Sequence, residues 1–189
     1  KEHEIISAAP LRGKKATHYE GGMRVPFIAT WAKVNPDNPL QKKLPIRSGQ
    51  LTTEIGTIHD IFPTILENAG VEYNTITDGV NLAPALAGKP LSSEPREFLM
   101  HFPHRHRSEY FTAYRLGEGK LVYHYLKPEA ERYELFHLPS DQSESNNLAA
   151  SDPANLKRMF EAMVAALEDA GAQFPVEQGD EHTEIRPIP

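Results

Sequence analysis

The chain has 189 residues, 39% of them hydrophobic and 24% charged, enough for one domain, or a large piece of one, with a buried core. Its formal net charge of -6 and its lack of cysteine argue against nucleic acid as a general partner and exclude a disulfide framework or a thiolate metal site. No apolar run approaches membrane-spanning length. The chain starts at Lys1 rather than Met, with no element start in its first ten residues. It is therefore expected to be a piece of a longer polypeptide, with any export signal upstream.

Residues 25–31, Val-Pro-Phe-Ile-Ala-Thr-Trp, predict a short buried strand, with Pro26 near its start where proline is tolerated. Residues 34–49 are rich in Pro, Asn and Lys, lack periodicity and predict a surface loop. A helix is expected over 59–69. Asp60 can cap it, Pro63 falls in its first turn, Phe62, Ile65, Leu66 and Ala69 share a face, and Gly70 stops it. Asp78-Gly79 marks a turn, and 82–86 reads as a short helical turn ended by Gly88 and Pro90.

From Arg96 the pattern changes. Residues 98–102, 110–116, 120–126 and 133–138 are four short strand-like runs, with a hairpin signal at Gly117-Glu118-Gly119. Asp152-Pro153 then opens a strongly periodic helix. Leu156, Met159, Phe160, Met163, Val164 and Leu167 fall on one face, and Gly171 closes it. That stripe predicts core packing against the preceding sheet. Residues 173–189 form a polar, proline-rich tail, draped or without fixed structure. Residues 1–93 thus read as a segment of an α/β domain. Residues 94–189 read as a small four-stranded antiparallel sheet packed by one long helix, with a polar tail.

Chemistry is concentrated in two stretches. The first, LRGKKATHYEGGMRVPFIATW, places Lys14 and Lys15 behind Gly13. A lysine held over an oxyanion stabilises charge growing on that oxygen, although a surface lysine pair is the plainer reading. Glu20 and Arg24 are expected to form an ion pair that fixes the turn. The second stretch is HFPHRHRSEY, where His101, His104 and His106 alternate with Arg105 and Arg107. Its spacing resembles a zinc site, but no carboxylate or cysteine completes it. A basic loop that recognises an anionic or hydroxyl-rich substrate fits better. His3 and His18 can serve the same region or lie at the surface, and His59 and Asp60 read as structural.

PLRGKKATHYEGGMRVPFIATW is similar to the second signature of the type I sulfatases, in the alkaline-phosphatase-like superfamily. That signature is a glycine, a lysine, a short spacer, Tyr-Glu-Gly-Gly, one residue, Arg-Val-Pro and a strand. Lys15 falls at the family lysine, four residues before Tyr19, while Lys14 stands where many members carry glycine. TIHDIFPTILENAGV, DGVNLAPALAGK, YRLGEGKLVYHY and YELFHLPSDQSESNNLA resemble later family segments in the same order. Phe136 and His137 stand where Tyr and Asp are commoner.

The resemblance implies the C-terminal part of an alkaline-phosphatase-like α/β fold and hydrolysis of sulfate esters, with sulfated carbohydrates as the expected substrates. It makes Lys15 the catalytic sulfate contact, and His104, His101, His3 and Arg105 substrate-binding residues. It also implies calcium and a formylglycine nucleophile, but the chain has no Cys/Ser-x-Pro-x-Arg motif, no pair of adjacent aspartates and no Asp-Asn pair just before the lysine loop. No metal ligand is therefore expected here. The nucleophile and calcium site belong to a missing N-terminal part, which would be this chain's partner in a periplasmic or extracellular enzyme. A phosphodiesterase or phosphonate ester hydrolase of the same superfamily is one alternative. A non-catalytic binding or structural module is another, for the chain alone.

Overall fold

The computed structural model describes residues 8–106, 109–176 and 183–188. In chain order its elements are α1 (Glu20–Met23), α2 (Pro39–Lys43), a 3-10 turn at Ile58–Asp60, α3 (Ile61–Ala69), α4 (Ala83–Leu86), β1 (Glu97–His106), β2 (Glu109–Leu116), β3 (Gly119–His124), a 3-10 turn at Glu129–Glu131, β4 (Tyr133–His137) and α5 (Pro153–Asp169). They fall into two compact units. One joins Lys1–Val25 to Glu97–Pro189, and the other is Pro26–Arg96. The compact units thus differ from a division at residue 93, because the segment that carries Lys15 packs with the C-terminal sheet.

The first unit is built on an antiparallel meander in the order β1-β2-β3-β4. Leu116 pairs with Gly119 across the two-residue turn, and Tyr114 pairs with Leu99 on one side and Leu121 on the other. Alternation along the strands sends Tyr114, Leu121, Tyr123 and Leu135 to one face, where they pack on Met159, Phe160, Met163 and Leu167 of α5. Each large side chain buried in this way contributes about 1.5–3 kcal/mol. Helix α5 starts where expected: Pro153 occupies its first turn and the Asp152 carboxylate accepts from the Asn155 N–H at 3.1 Å.

The opposite face carries Phe111, Ala113, Val122, Phe136 and Leu138, with Met23, Met100 and Phe102 packed on them. This cover was not legible in the strand pattern. Strand β3 is consequently buried on both sides. Leu121 and Tyr123 meet α5, while Lys120, Val122 and His124 face the segment around α1.

In the second unit the expected loop over 34–49 contains α2, because Asn38 accepts from the Leu40 and Gln41 N–H groups and Pro39 starts the helix. Helix α3 ends at Gly70 as expected, and Asp60 stands at its N-cap position, but the carboxylate makes no capping bond to α3. The Asp60 carboxylate closes the preceding turn onto Thr57, accepts from the Val80 N–H at 2.9 Å and is bound by both terminal nitrogens of Arg96. Burial opposes its ionisation. Arg96 and the backbone donors outweigh burial and hold its pKa below the ordinary value.

Residues 25–31 form no strand, contrary to their apolar pattern. Phe27 is 60% and Ile28 88% exposed. A strand needs a ladder partner and a covering layer, and among the described residues this run has neither. Nor is any helix among them long and apolar enough to cross a membrane.

Candidate functional site

Lys15 sits on a loop whose backbone folds back on itself. The Gly21 N–H donates to the Arg12 carbonyl at 2.7 Å, the Thr17 N–H to the Lys14 carbonyl at 3.1 Å, and the Thr17 hydroxyl to the same carbonyl at 2.8 Å. The two glycines of Tyr-Glu-Gly-Gly are required by this closure. A Cβ on Gly21 would lie 2.6 Å from the Arg12 oxygen. A Cβ on Gly22 would lie 2.3 Å from the Thr17 oxygen and 2.6 Å from the Lys14 oxygen. The α1 turn therefore rests directly on the carbonyls that flank Lys15. Ala16, the next residue, is held at φ 72°, a strained conformation for a side chain with a Cβ. The lysine itself is exposed.

Two buried clusters tie this loop to the sheet. In the first, the Lys120 ammonium, with no exposed side-chain surface, donates to Glu20 at 3.0 Å and to Glu144 at 2.7 Å. Glu144 also accepts from the Glu20 N–H at 2.7 Å. Arg24 pairs with Glu20 at 3.0 Å, as the sequence suggested, and Arg115 approaches the same carboxylate at 3.7 Å. Burial pushes the Glu144 pKa up, and Lys120 partly offsets it.

The second cluster centres on Glu134. Its carboxylate accepts from the Tyr19 hydroxyl at 2.8 Å, from Arg12 at 3.1 Å and pairs with His124 Nε2 at 2.9 Å. Arg12 also stacks over the Tyr19 ring at 3.7 Å and donates to the Glu144 carbonyl at 3.0 Å. Burial disfavours the Glu134 anion. The His124 and Tyr19 hydrogen bonds and the Arg12 charge overcome that and hold its pKa at about 2. His18 packs 5.0 Å from the His124 ring, and burial, then His124, lowers its pKa to about 3, so it is neutral near pH 7.

Ligand atoms of His18, His124 and Glu134 all lie within 4.8 Å of one another, which raises the question of a metal. The set is a poor calcium site, because calcium requires six or more oxygen ligands. Both Glu134 oxygens are already engaged by donors, one of them the cationic Arg12. Through Glu134 the cluster anchors the loop to β3 and β4.

The predicted substrate residues are distributed unevenly. His101 pairs through Nδ1 with Thr112 at 2.8 Å and through Nε2 with the Gln173 carbonyl at 2.6 Å, so it lies on the α5 side and pins the chain beyond that helix. His104 is exposed and packs on Phe102 at 5.1 Å. Phe102 stacks on Phe111, which places His104 with the opposite face, the one that carries the lysine loop. The first two histidines of the His-x-x-His-x-His run therefore do not converge on one ion. His3 and the Arg105 side chain lie outside the described residues. Sequence reasoning missed Lys120, His124, Glu134 and Glu144 as partners of the loop. The available signal was polar Lys120 and His124, four residues apart and so on one side of an otherwise apolar strand.

No family model matches the chain. A curated protein named Sulfatase from Formosa agariphila is 33% identical over 158 residues, covering 77% of this chain and 26% of that protein. Human steryl-sulfatase is 39% identical over 93 residues, covering 48% of this chain and 14% of its own length. Among solved structures, Ps i-CgsB in complex with k-i-k-neocarrahexaose matches with a TM-score of 0.64 at 24% identity, over 90% of this chain and 35% of that one. This chain thus spans about a quarter or less of the curated relatives cited. Together with the fold and the ordered sequence segments, these matches show that the chain is a portion of a member of the sulfatase family, with the alkaline-phosphatase-like α/β fold.

Proposed function

We propose that the protein carrying this chain hydrolyses sulfate esters of carbohydrates, and that Lys15 holds an oxygen of the sulfate group. The observation that carries this reading is an exposed lysine at the family position, on a loop whose backbone is locked on both sides of it. A lysine is a mobile point charge suited to one oxygen, including one that becomes the leaving alkoxide. A backbone fixed in advance lets that charge act without reorganisation during the reaction. His104, with Arg105 and His3, supplies polar contacts to the rest of the substrate. His101 takes a lesser part, since both its ring nitrogens are already engaged.

Calcium and the formylglycine nucleophile belong to other parts of the polypeptide. When bound, the metal spreads charge over the sulfuryl oxygens. The apolar side chains that residues 26–96 leave exposed, among them Phe27, Ile28, Leu51 and Ile76, support the view that this unit continues into a larger α/β domain. An oxidising compartment, periplasmic or extracellular, fits the family resemblance.

The test is sulfate release by the complete polypeptide, from carrageenan oligosaccharides and from a steryl sulfate in parallel. Faster turnover of the saccharides is expected, and preference for the steryl ester would overturn the substrate class. Lys15→Ala is expected to lower kcat by roughly 10²–10³-fold, the scale of losing one preorganised donor. Near-normal turnover would remove Lys15 from the site. The isolated 189 residues are expected to be inactive on 4-nitrophenyl sulfate.

A further inference from the structure

We propose that Lys120 is a positioning residue for Lys15: by clamping Glu20 to Glu144 beneath the sheet, it sets the height and orientation of the lysine loop. The proposal rests on the reading of Lys15 as the sulfate contact. Lys120 lies on β3, far from Lys15 in sequence, yet the route between them is short and made of rigid parts. The Lys120 ammonium touches one oxygen of Glu20 and one of Glu144, and the other Glu144 oxygen takes the Glu20 N–H. Glu20 opens α1, whose Gly21 and Gly22 press without side chains on the carbonyls of Arg12, Lys14 and Thr17. Those carbonyls bracket Lys15. A displacement of Glu20 is passed to the backbone of Lys15 because no flexible side chain lies between to absorb it.

Stability alone does not account for such a clamp. Replacing a buried ion pair by apolar groups of similar size is often neutral or stabilising. Here two carboxylates and an ammonium are buried together, and Glu144 is held at φ 51°, which a residue with a side chain rarely adopts. The arrangement specifies one geometry: Lys120 reaches both acids only when α1 sits in this register on β3.

The test is made in the complete polypeptide. Lys120→Met alone leaves two facing carboxylates and can fail to fold. The deciding variant is therefore Lys120→Met/Glu144→Gln, which keeps the net charge of the cluster and an acceptor for the Glu20 N–H. Circular dichroism reports whether it folds. Hydrogen exchange at the Thr17, Gly21 and Gly22 amides is expected to accelerate at least tenfold, with the β2–β3 amides unchanged. On 4-nitrophenyl sulfate kcat is expected to fall roughly 10- to 100-fold, the scale of a small misplacement, with KM changed less than about threefold. In a Lys15→Ala background the double substitution is expected to cause little loss beyond that of Lys15→Ala alone, because two changes acting through one contact are not additive.

Unchanged loop exchange in the folded double variant, or losses that multiply with Lys15→Ala, would overturn the proposal. If exchange accelerates while Lys15→Ala alone retains full kcat, the loop clamp stands and the assignment of Lys15 to sulfate falls.

Discussion

One face of the four-stranded sheet meets α5 through Tyr114, Leu121, Tyr123 and Leu135. The other meets the lysine loop through Lys120, His124 and Glu134 as well as Phe111 and Val122. Both are buried, but they are held by different physics. The α5 face gains from area removed from water, which tolerates small shifts. The loop face gains from charged hydrogen bonds, which fix distance and angle and leave a costly unpaired group when one partner moves. An apolar face holds a helix in place, whereas a charged one can hold a loop to a chosen position. The loop that bears Lys15 is on the charged side.

The largest expected effect separates the two roles. Lys15→Ala should lower kcat by roughly 10²–10³-fold while leaving the urea midpoint of the protein unchanged, because the side chain is exposed. The converse change is Leu121→Ala on the α5 face. It should cost about 2–5 kcal/mol in unfolding free energy, with kcat per folded molecule within about twofold of wild type. Loss of kcat in that variant would mean that the α5 face also sets the loop.

Glu134→Ala removes the acceptor shared by Arg12, Tyr19 and His124. It should cost about 1–3 kcal/mol and, unlike Leu121→Ala, should also loosen the loop, visible as faster exchange at the Gly21 amide.

Acid should act on the loop face in a defined order. His18 is lowered from 6.5 to about 3, so the folded state binds fewer protons than the unfolded state between those values. Its contribution to stability is complete above pH 6.5 and is lost as pH falls toward 3. Glu134, lowered from 4.5 to about 2, contributes fully above pH 4.5 and loses that contribution as pH falls toward 2. Glu144, with its raised pKa, acts in the opposite sense. Urea midpoints should therefore fall on acidification below pH 6.5, and His18→Gln should flatten the upper part of that slope. A slope unchanged by His18→Gln would assign the acid sensitivity elsewhere. The smallest effect is expected at the helix end: Asp152→Ala should cost about 1 kcal/mol in unfolding free energy, with exchange accelerated in the first turn of α5 and not in the loop.

Much of the sheet and α5 was legible in the residues. The strands at 110–116 and 133–138 lie within a residue of the observed ones, and the Asp152-Pro153 start and Gly171 stop frame α5. These elements are specified by short-range pattern and capping chemistry, which neighbours in sequence carry. The strand expected over 25–31 failed for the complementary reason: an apolar run states what must be buried but does not supply a partner. The main partner of Asp60 was hidden for a related cause. It stands at the expected cap position, but its bond to Arg96 spans 36 residues, which the order of neighbouring residues does not carry.

The sequence by itself determined the family resemblance and the bounds of β2, β4 and α5, because each depends on residue order or on groups a few residues apart. Only the tertiary structure decided that Tyr-Glu-Gly-Gly rests on Lys120, Glu134 and Glu144, and that His101 and His104 face opposite sides. Those facts follow from strand register and from hydrogen bonds spanning 100 residues or more. One further residue in a turn would turn every side chain of a strand to the other face.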